Sequence, residues 1–353
     1  MSTPHKQGRR LTPPGGKRTL SGRKQDRNEM QIVTGTEIYD KILDASVVTI
    51  GNFDGVHRGH AEIFAHLRQK SLDRGIPSVV VTFEPHPLKV LAPESAPPLI
   101  STFEQKAALI EEAGIDYLVV VPFSMEFSQV PARDFVLDIL CRPLGMRHII
   151  IGHDYAFGRG REGNFNTLEN LGALHGFTLE DLPPIGEGGA VFSSSLVRSA
   201  VSSGDVDSAS LFLGRYYQIS GTVVHGRKIG KTLGFPTANI DTPNELLPAD
   251  GVYAVMAQVD GRLVKGACNI GFNPTFGGDS RTIEVLLLDY SGQIYDHGIT
   301  VHFVRRLRPE RNFPDIEALK IAISQDVADC RVILDNMNEN YLKLSGKMES
   351  CAR

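Results

Sequence analysis

The strongest constraint in this chain is a change of pattern near residue 215. Before it, short apolar, β-branched runs alternate with segments of helical periodicity; after it, strand-like runs follow one another directly. The first pattern argues for a parallel sheet covered by helices, the second for an antiparallel barrel or sandwich. At 353 residues the chain is long enough for two such units.

Residues 46–50, 78–83, 117–121 and 147–151 read as strands. Between them, Val56, His60, Ile63, Phe64 and Leu67 share a helical face, 104–112 reads as a helix closed by Gly114, and 132–140 is helical. Short helices at 195–201 and 206–213 each start after Ser or Asp. Beyond 215 the runs 217–224, 252–259, 263–269, 282–288 and 294–304 are strand-like, with Asp260-Gly261 as a hairpin signal. The chain ends in a long helix with Pro314 near its first turn and Ile316, Leu319, Ile323, Val327, Cys330 and Leu334 on one stripe.

Charge narrows the function classes. The net charge is −4, but residues 1–30 hold eight basic groups against two acidic ones, so the remainder is −10. An acidic body gives no general nucleic-acid signal. The basic tail is rich in Gly, Pro and Ser and is expected to be disordered. It loosely resembles an Arg-rich transit peptide, but a solvated extension is the expected reading, and no apolar region marks a secretory signal. No apolar run is long enough for a transmembrane helix. Cys141, Cys268, Cys330 and Cys351 are too scattered for a zinc or redox pair, and a reducing, cytoplasmic setting is expected.

The densest motif is Gly51-Asn52-Phe53-Asp54-Gly55-Val56-His57-Arg58-Gly59-His60, where the first strand runs into a helix. Ligands of open parallel sheets bind at such strand ends. Gly51 and Gly55 permit close backbone approach, and Asp54 is placed to cap the helix. His57 and His60 fall on one face of its first turn, where free N–H groups already attract phosphate. Two imidazoles there can donate to phosphate oxygens. Zinc is the competing reading of such a pair, but no carboxylate or Cys set accompanies it.

Two segments imitate other motifs. Gly158-Arg-Gly-Arg-Glu-Gly163 matches a dinucleotide fingerprint but lies seven residues after its strand, where the fingerprint should follow at once. Residues 226–232 look like a P-loop but have three residues between the glycines instead of four.

A second polar region spans 221–240. Gly226, Gly230 and Gly234 make a loop able to approach phosphates, Lys228 and Lys231 add charge, and Thr237 and Asn239 offer oxygen ligands suited to Mg²⁺. The residues alone leave open whether this is a nucleotide loop or a glycine-rich hairpin. Glu284 alone reads as a surface partner for Arg281 or Arg305.

The N-terminal motifs resemble the nucleotidylyltransferase superfamily, and the fuller set resembles the bacterial bifunctional riboflavin kinase/FAD synthetase family. The resemblance rests on the H-x-G-H at 57–60, Phe83-Glu-Pro-His-Pro87, the segment 151–163 with Asp154 and Arg161, and Phe192-Ser-Ser-Ser-Leu-Val-Arg198. It extends through Leu233-Gly-Phe-Pro-Thr-Ala-Asn239, residues 269–276 and the strand holding Glu284. It implies a Rossmann-like α/β nucleotidylyltransferase domain (31–215), and a six-stranded Greek-key β-barrel kinase domain with a C-terminal helix (216–345).

The resemblance also implies roles. His57 and His60 would serve ATP phosphates and the transition state, with Gly51, Asn52, Phe53, Asp54, Ser194, Ser195 and Arg198 holding the nucleotide. Asp154 and Arg161 would position flavin or adenine. In the kinase unit Glu284 would be the general base, the loop from Gly226 through Gly230, Lys231 and Gly234 would hold phosphates, and Thr237 and Asn239 would bind Mg²⁺-ATP. The implied reactions turn riboflavin into FMN and FMN into FAD, each with ATP. No nucleic-acid or membrane partner is expected, a homo-oligomer remains open, and the two units are expected to work independently.

Overall fold

The computed structural model describes residues 29–152, 155–226, 229–272 and 281–342. The basic tail, residues 1–30, lies outside them except at its last two positions, as do Asp154, Lys228 and residues 273–276 of the resemblance.

The first unit runs β1 (Gln31–Thr34), β2 (Ser46–Ile50), α1 (Arg58–Arg74), β3 (Ser78–Glu84), α2 (Pro87–Leu91), α3 (Phe103–Glu112), β4 (Tyr117–Pro122), α4 (Ala132–Phe135), β5 (Met146–Gly152), α5 (Phe165–His175) and β6 (Thr178–Leu182). These six strands form one parallel sheet in the order β1-β4-β3-β2-β5-β6. The helix expected at 132–140 is α4 continued by a π-helical turn, Val136–Cys141. All five residues of β2 are buried because helices cover both faces. Val48 and Ile50 pack toward Phe135, Ile139 and Leu140, whereas Val47 packs toward Phe64, Leu67 and Ile110. Each such fully buried aliphatic side chain contributes roughly 1.5–3 kcal/mol. The chain leaves β2 toward β3 and β4 on one side, then crosses to β5 on the other. The crevice at that reversal, beyond the strands' carboxyl ends, is where this topology places a ligand.

A small hairpin, β7 (Gly186–Glu187) with β8 (Ala190–Val191), leads to α6 (Ser194–Ser203) and α7 (Val206–Leu213). The second unit follows as β9 (Tyr217–Val224), α8 (Ile229–Leu233), β10 (Ala238–Asp241), β11 (Gly251–Val259), β12 (Arg262–Phe272), β13 (Arg281–Leu287), β14 (Gly298–Pro309) and α9 (Ile316–Asp335). Six strands close an antiparallel barrel in the order β10-β13-β12-β11-β14-β9. Strands β11 to β14 lie as 14-11-12-13, a Greek key. Asp260 and Gly261 both have left-handed φ, as a tight hairpin between β11 and β12 demands.

The strand expected at 294–304 begins only at Gly298, because Asp296 takes a left-handed φ of 65° in the turn before it. The stripe expected on the last helix is rotated at its start. Ile316 is exposed, and Ala322, Asp326, Cys330 and Leu334 are the buried positions, Asp326 because Arg308 pairs with it at 2.8 Å.

The barrel core continues across residue 215. Val197, Ala200, Val201, Val206, Ala209 and Leu213, from α6 and α7, share one buried cluster with Tyr217, Tyr253 and Phe303 of the barrel. Gln105 and Asn244 add a buried side-chain bond between the units, at 2.9 Å.

Candidate active sites

The chain turns from β2 into α1 through a strained loop. Phe53, Gly55 and Val56 have φ of 49°, 75° and 38°. Left-handed φ is costly for a β-branched residue such as Val56 and persists only where surroundings enforce it. Gly55 is required twice over: its φ is left-handed, and a Cβ there would lie 2.7 Å from Ile100. Gly51 has a different reason, since its Cβ would lie 2.9 Å from the Phe53 ring.

Asp54 does not cap α1. His57 occupies that position without a side-chain capping bond, and Val56 lies before the helix. The left-handed turn carries the Asp54 carboxylate away from the helix and toward the 98–101 loop. There it accepts from Ile100 N at 3.0 Å and Ser101 N at 3.3 Å, and it pairs with Arg198 at 2.6 Å. Its carbonyl accepts from Ser194 Oγ at 3.0 Å. Asp54 thus ties the turn to α6.

The His57 and His60 rings stack with centroids 3.7 Å apart, and Phe53 meets His60 edge-on at 5.2 Å. Gly59 leaves room for this, because a Cβ there would press on the His57 ring at 3.1 Å. Both imidazoles keep a buried Nδ1 without a hydrogen-bond partner among the described residues. Burial first, then the Arg215 and Arg198 charges, push the His57 pKa down to about 4. Burial also holds His60 well below its ordinary value. Both imidazoles are therefore held neutral.

They open on a cavity of about 890 Å³ at the carboxyl ends of β2, β3 and β5. Gly51, Asn52, Phe53, Asp54, Ser194, Arg198 and Arg161 line it; Ser195 is exposed and does not. Ser193, not singled out in the sequence, caps α6 by accepting from Leu196 N. One wall is aromatic: Phe83, Phe123, Phe127, Phe135, Tyr155 and Phe157 form a run of ring contacts with centroids 5.7–6.3 Å apart. No spacing rule links these rings, which come from four separate segments; their signal is abundance alone, 17 Phe in the chain.

The dinucleotide-like segment plays a packing role. A Cβ at Gly158 would lie 2.6 Å from the Ala132 backbone, and one at Gly163 would lie 2.7 Å from the Phe157 ring.

The second cluster sits on the barrel's outer surface. Asn239 on β10 is the register partner of Glu284 on β13, and Thr237 Oγ1 donates to Glu284 Oε2 at 3.2 Å. The neighbours Ala238, Ile240, Ile283 and Val285 point into the core, so strand alternation turns Asn239 and Glu284 outward. The surface-partner reading of Glu284 fails, because Arg281 binds Asp250 and Arg305 binds Asp207. Gly226 lies on the Asn239 amide, where a Cβ would come within 2.0 Å, and Gly230 packs on the Phe235 carbonyl. Gly234 has a left-handed φ of 92°. The side chain of Lys231 lies outside the described ones. Thr237, Asn239 and Glu284 are oxygen donors at one spot, a set that fits a hard divalent cation.

Comparison with known proteins matches both units. Residues 40–196 match the FAD synthetase family and residues 213–334 the riboflavin kinase family. A bifunctional riboflavin kinase/FMN adenylyltransferase of Pseudomonas fluorescens is 41% identical over 86% of this chain and 98% of its own length. The protein of that description from Escherichia coli K12 is 37% identical over 82% and 92%. A solved structure described as a macrolide-efflux protein from Streptococcus pneumoniae superposes with a TM-score of 0.77, at 27% identity, over 84% of this chain and 96% of that one. No helix among the described residues is long and apolar enough to cross a membrane.

Proposed function

The chain belongs to the bifunctional riboflavin kinase/FMN adenylyltransferase family, and from that premise we propose which of its residues perform each step. Its activities are ATP-dependent phosphorylation of riboflavin to FMN and adenylylation of FMN to FAD.

Adenylylation takes place in the cavity at the end of β2. The observation that carries this is the stacked pair His57 and His60 on the cavity wall at the start of α1. An oxygen of the FMN phosphate attacks the α-phosphorus of ATP, the bond to the β-phosphate oxygen breaks, and pyrophosphate leaves with the electron pair. The enzyme supplies positioning and charge stabilisation, and no side chain forms a covalent bond. His57 and His60 donate to the phosphates beside the free N–H groups opening α1, and Ser194 and Arg198 do so at the start of α6. The aromatic wall takes the flavin ring, with Arg161 on the cavity lining beside it, and Asp154 serves to position flavin or adenine. Asp54 acts through Arg198 and the turn.

Phosphorylation takes place on the barrel. Glu284 accepts the proton of the ribityl 5′-hydroxyl as that oxygen attacks the γ-phosphorus, and ADP leaves. Thr237 and Asn239 would hold Mg²⁺, which would neutralise phosphate charge when bound, and the loop of Gly226, Gly230, Lys231 and Gly234 would hold the nucleotide's phosphates. Residues 31–215 and 216–345 are the two functional units. A cytoplasmic setting fits the unpaired thiols Cys141, Cys268 and Cys330.

The test is incubation with riboflavin, ATP and Mg²⁺, with FMN and FAD followed by chromatography. Both flavins should appear in sequence. FMN that accumulates without FAD would overturn the assignment at the first site.

A further inference from the structure

Arg215 is the last residue before the barrel unit, inside the stretch that matches the riboflavin kinase family, and is 5% exposed. Its Nη2 donates to the Gly55 carbonyl at 2.6 Å. Its Nη1 donates to the Val56 carbonyl at 2.9 Å, and more weakly to Leu213 O at 3.4 Å. Gly55 and Val56 lie about 160 residues away in the chain. Gly55 and Val56 are the two left-handed residues directly before His57. On the same stretch, Val56 N donates to Phe53 O at 3.2 Å and Gly55 N donates to Ser101 Oγ at 3.2 Å. The two carbonyls thus receive one guanidinium fork.

We propose that Arg215 is a positioning residue for adenylylation, supplied from the segment that matches the riboflavin kinase family. Its fork fixes the Gly55–Val56 peptides and so sets where the two imidazoles stand. This rests on the reading that His57 and His60 serve the phosphates. Planarity is what makes the residue suited to the task, because two N–H groups at a fixed angle meet two successive carbonyls. A lysine ammonium keeps the charge but cannot hold both oxygens in one geometry. Arg215 touches neither phosphate nor flavin. It is absent from the cavity lining. Misplacement of about 1 Å in a positioned group costs about 10²-fold in rate, and the loss falls on turnover rather than on binding.

The test uses the full chain with Arg215→Lys and Arg215→Met, and assays each reaction separately. With FMN and ATP, both variants should lose about 10²-fold in kcat while KM for ATP changes less than about threefold. With riboflavin and ATP, the same preparations should keep kinase turnover within about twofold of the parent, which also reports that they are folded. Wild-type adenylylation in Arg215→Lys would show that charge suffices and would overturn the proposal. A parallel fall of both activities would mark Arg215 as purely structural and would overturn it too. His57→Ala with His60→Ala runs alongside. If that variant keeps full adenylylation, the reading of the site fails; if it is inactive while Arg215→Lys is normal, only the present proposal fails.

Discussion

The two sites are built by opposite means. On the barrel, Glu284 faces Asn239 because strands β10 and β13 pair in that register, and Thr237 reaches the same carboxylate from two residues earlier. Backbone pairing sets the geometry, and the side chains are left for the chemistry. At the end of β2 a loop with three left-handed residues sets the geometry, held by contacts from residues 46 to 160 positions away. There the positioning is spread over Asp54, Ser101, Ser194, Arg198 and Arg215. The contrast teaches that a site on strand register should fail mainly through its reacting groups. A site on a strained turn should fail through remote residues as well.

The sharpest test is Glu284→Gln, which keeps the shape but removes the proposed base. Riboflavin phosphorylation should fall by about 10³-fold, within the range general bases contribute, and FMN adenylylation should stay within about twofold. Loss of both activities in kinetic assays would break the separation. Next, His60→Ala should lower adenylylation by about 10²–10³-fold without affecting the kinase, as expected for loss of a preorganised donor.

Asp54→Asn probes the turn's dependence on remote contacts. It leaves the Arg198 cation beside an uncharged amide, and breaking such a buried pair costs about 3 kcal/mol. Urea denaturation should show that loss, whereas Thr237→Ser on the barrel should leave the midpoint unchanged. Equal stability of Asp54→Asn and the parent would remove Asp54 from the turn's support.

The smallest effect is one of pH. His57 has a pKa of about 4 when folded against 6.5 ordinarily, chiefly through burial. Between those values the unfolded chain binds more protons, so this group's contribution to stability is full above 6.5 and is lost as pH falls toward 4. His302 on the barrel is also held at about 4 by burial and acts with the same sign. Melting temperature should therefore fall between pH 7 and pH 5, and less steeply in His57→Gln. An unchanged slope in that variant would place the acid sensitivity elsewhere.

Much of this was legible in the sequence because it is local. The run from Ser46 to Ile50 is apolar and β-branched, and Asp260-Gly261 can make little but a tight turn. Strand β1 was not visible, since Gln31–Thr34 is a short edge strand with mostly exposed side chains. Strand β6, Thr178–Leu182, alternates too weakly to signal itself. Asp54 looked like a cap by its spacing, and only the left-handed turn shows it facing Ile100 and Arg198. Arg215 gave no local signal, because its partners are carbonyl groups that any residue possesses. The aromatic wall is hidden for a related reason: its rings converge in space from segments that share no period.

The shared core beneath α6 and α7 carries a lesson about unfolding order. The amides of these helices should exchange with solvent in the slow class of the barrel strands, because they lose protection only when that core opens. Ser194 and Arg198 ride on α6, so opening the barrel dismantles one edge of the neighbouring crevice. Local opening of the parallel sheet, by contrast, leaves the strand pairing of β10 and β13 intact. The hierarchy is one-sided: partial denaturation should remove FAD formation first and FMN formation last.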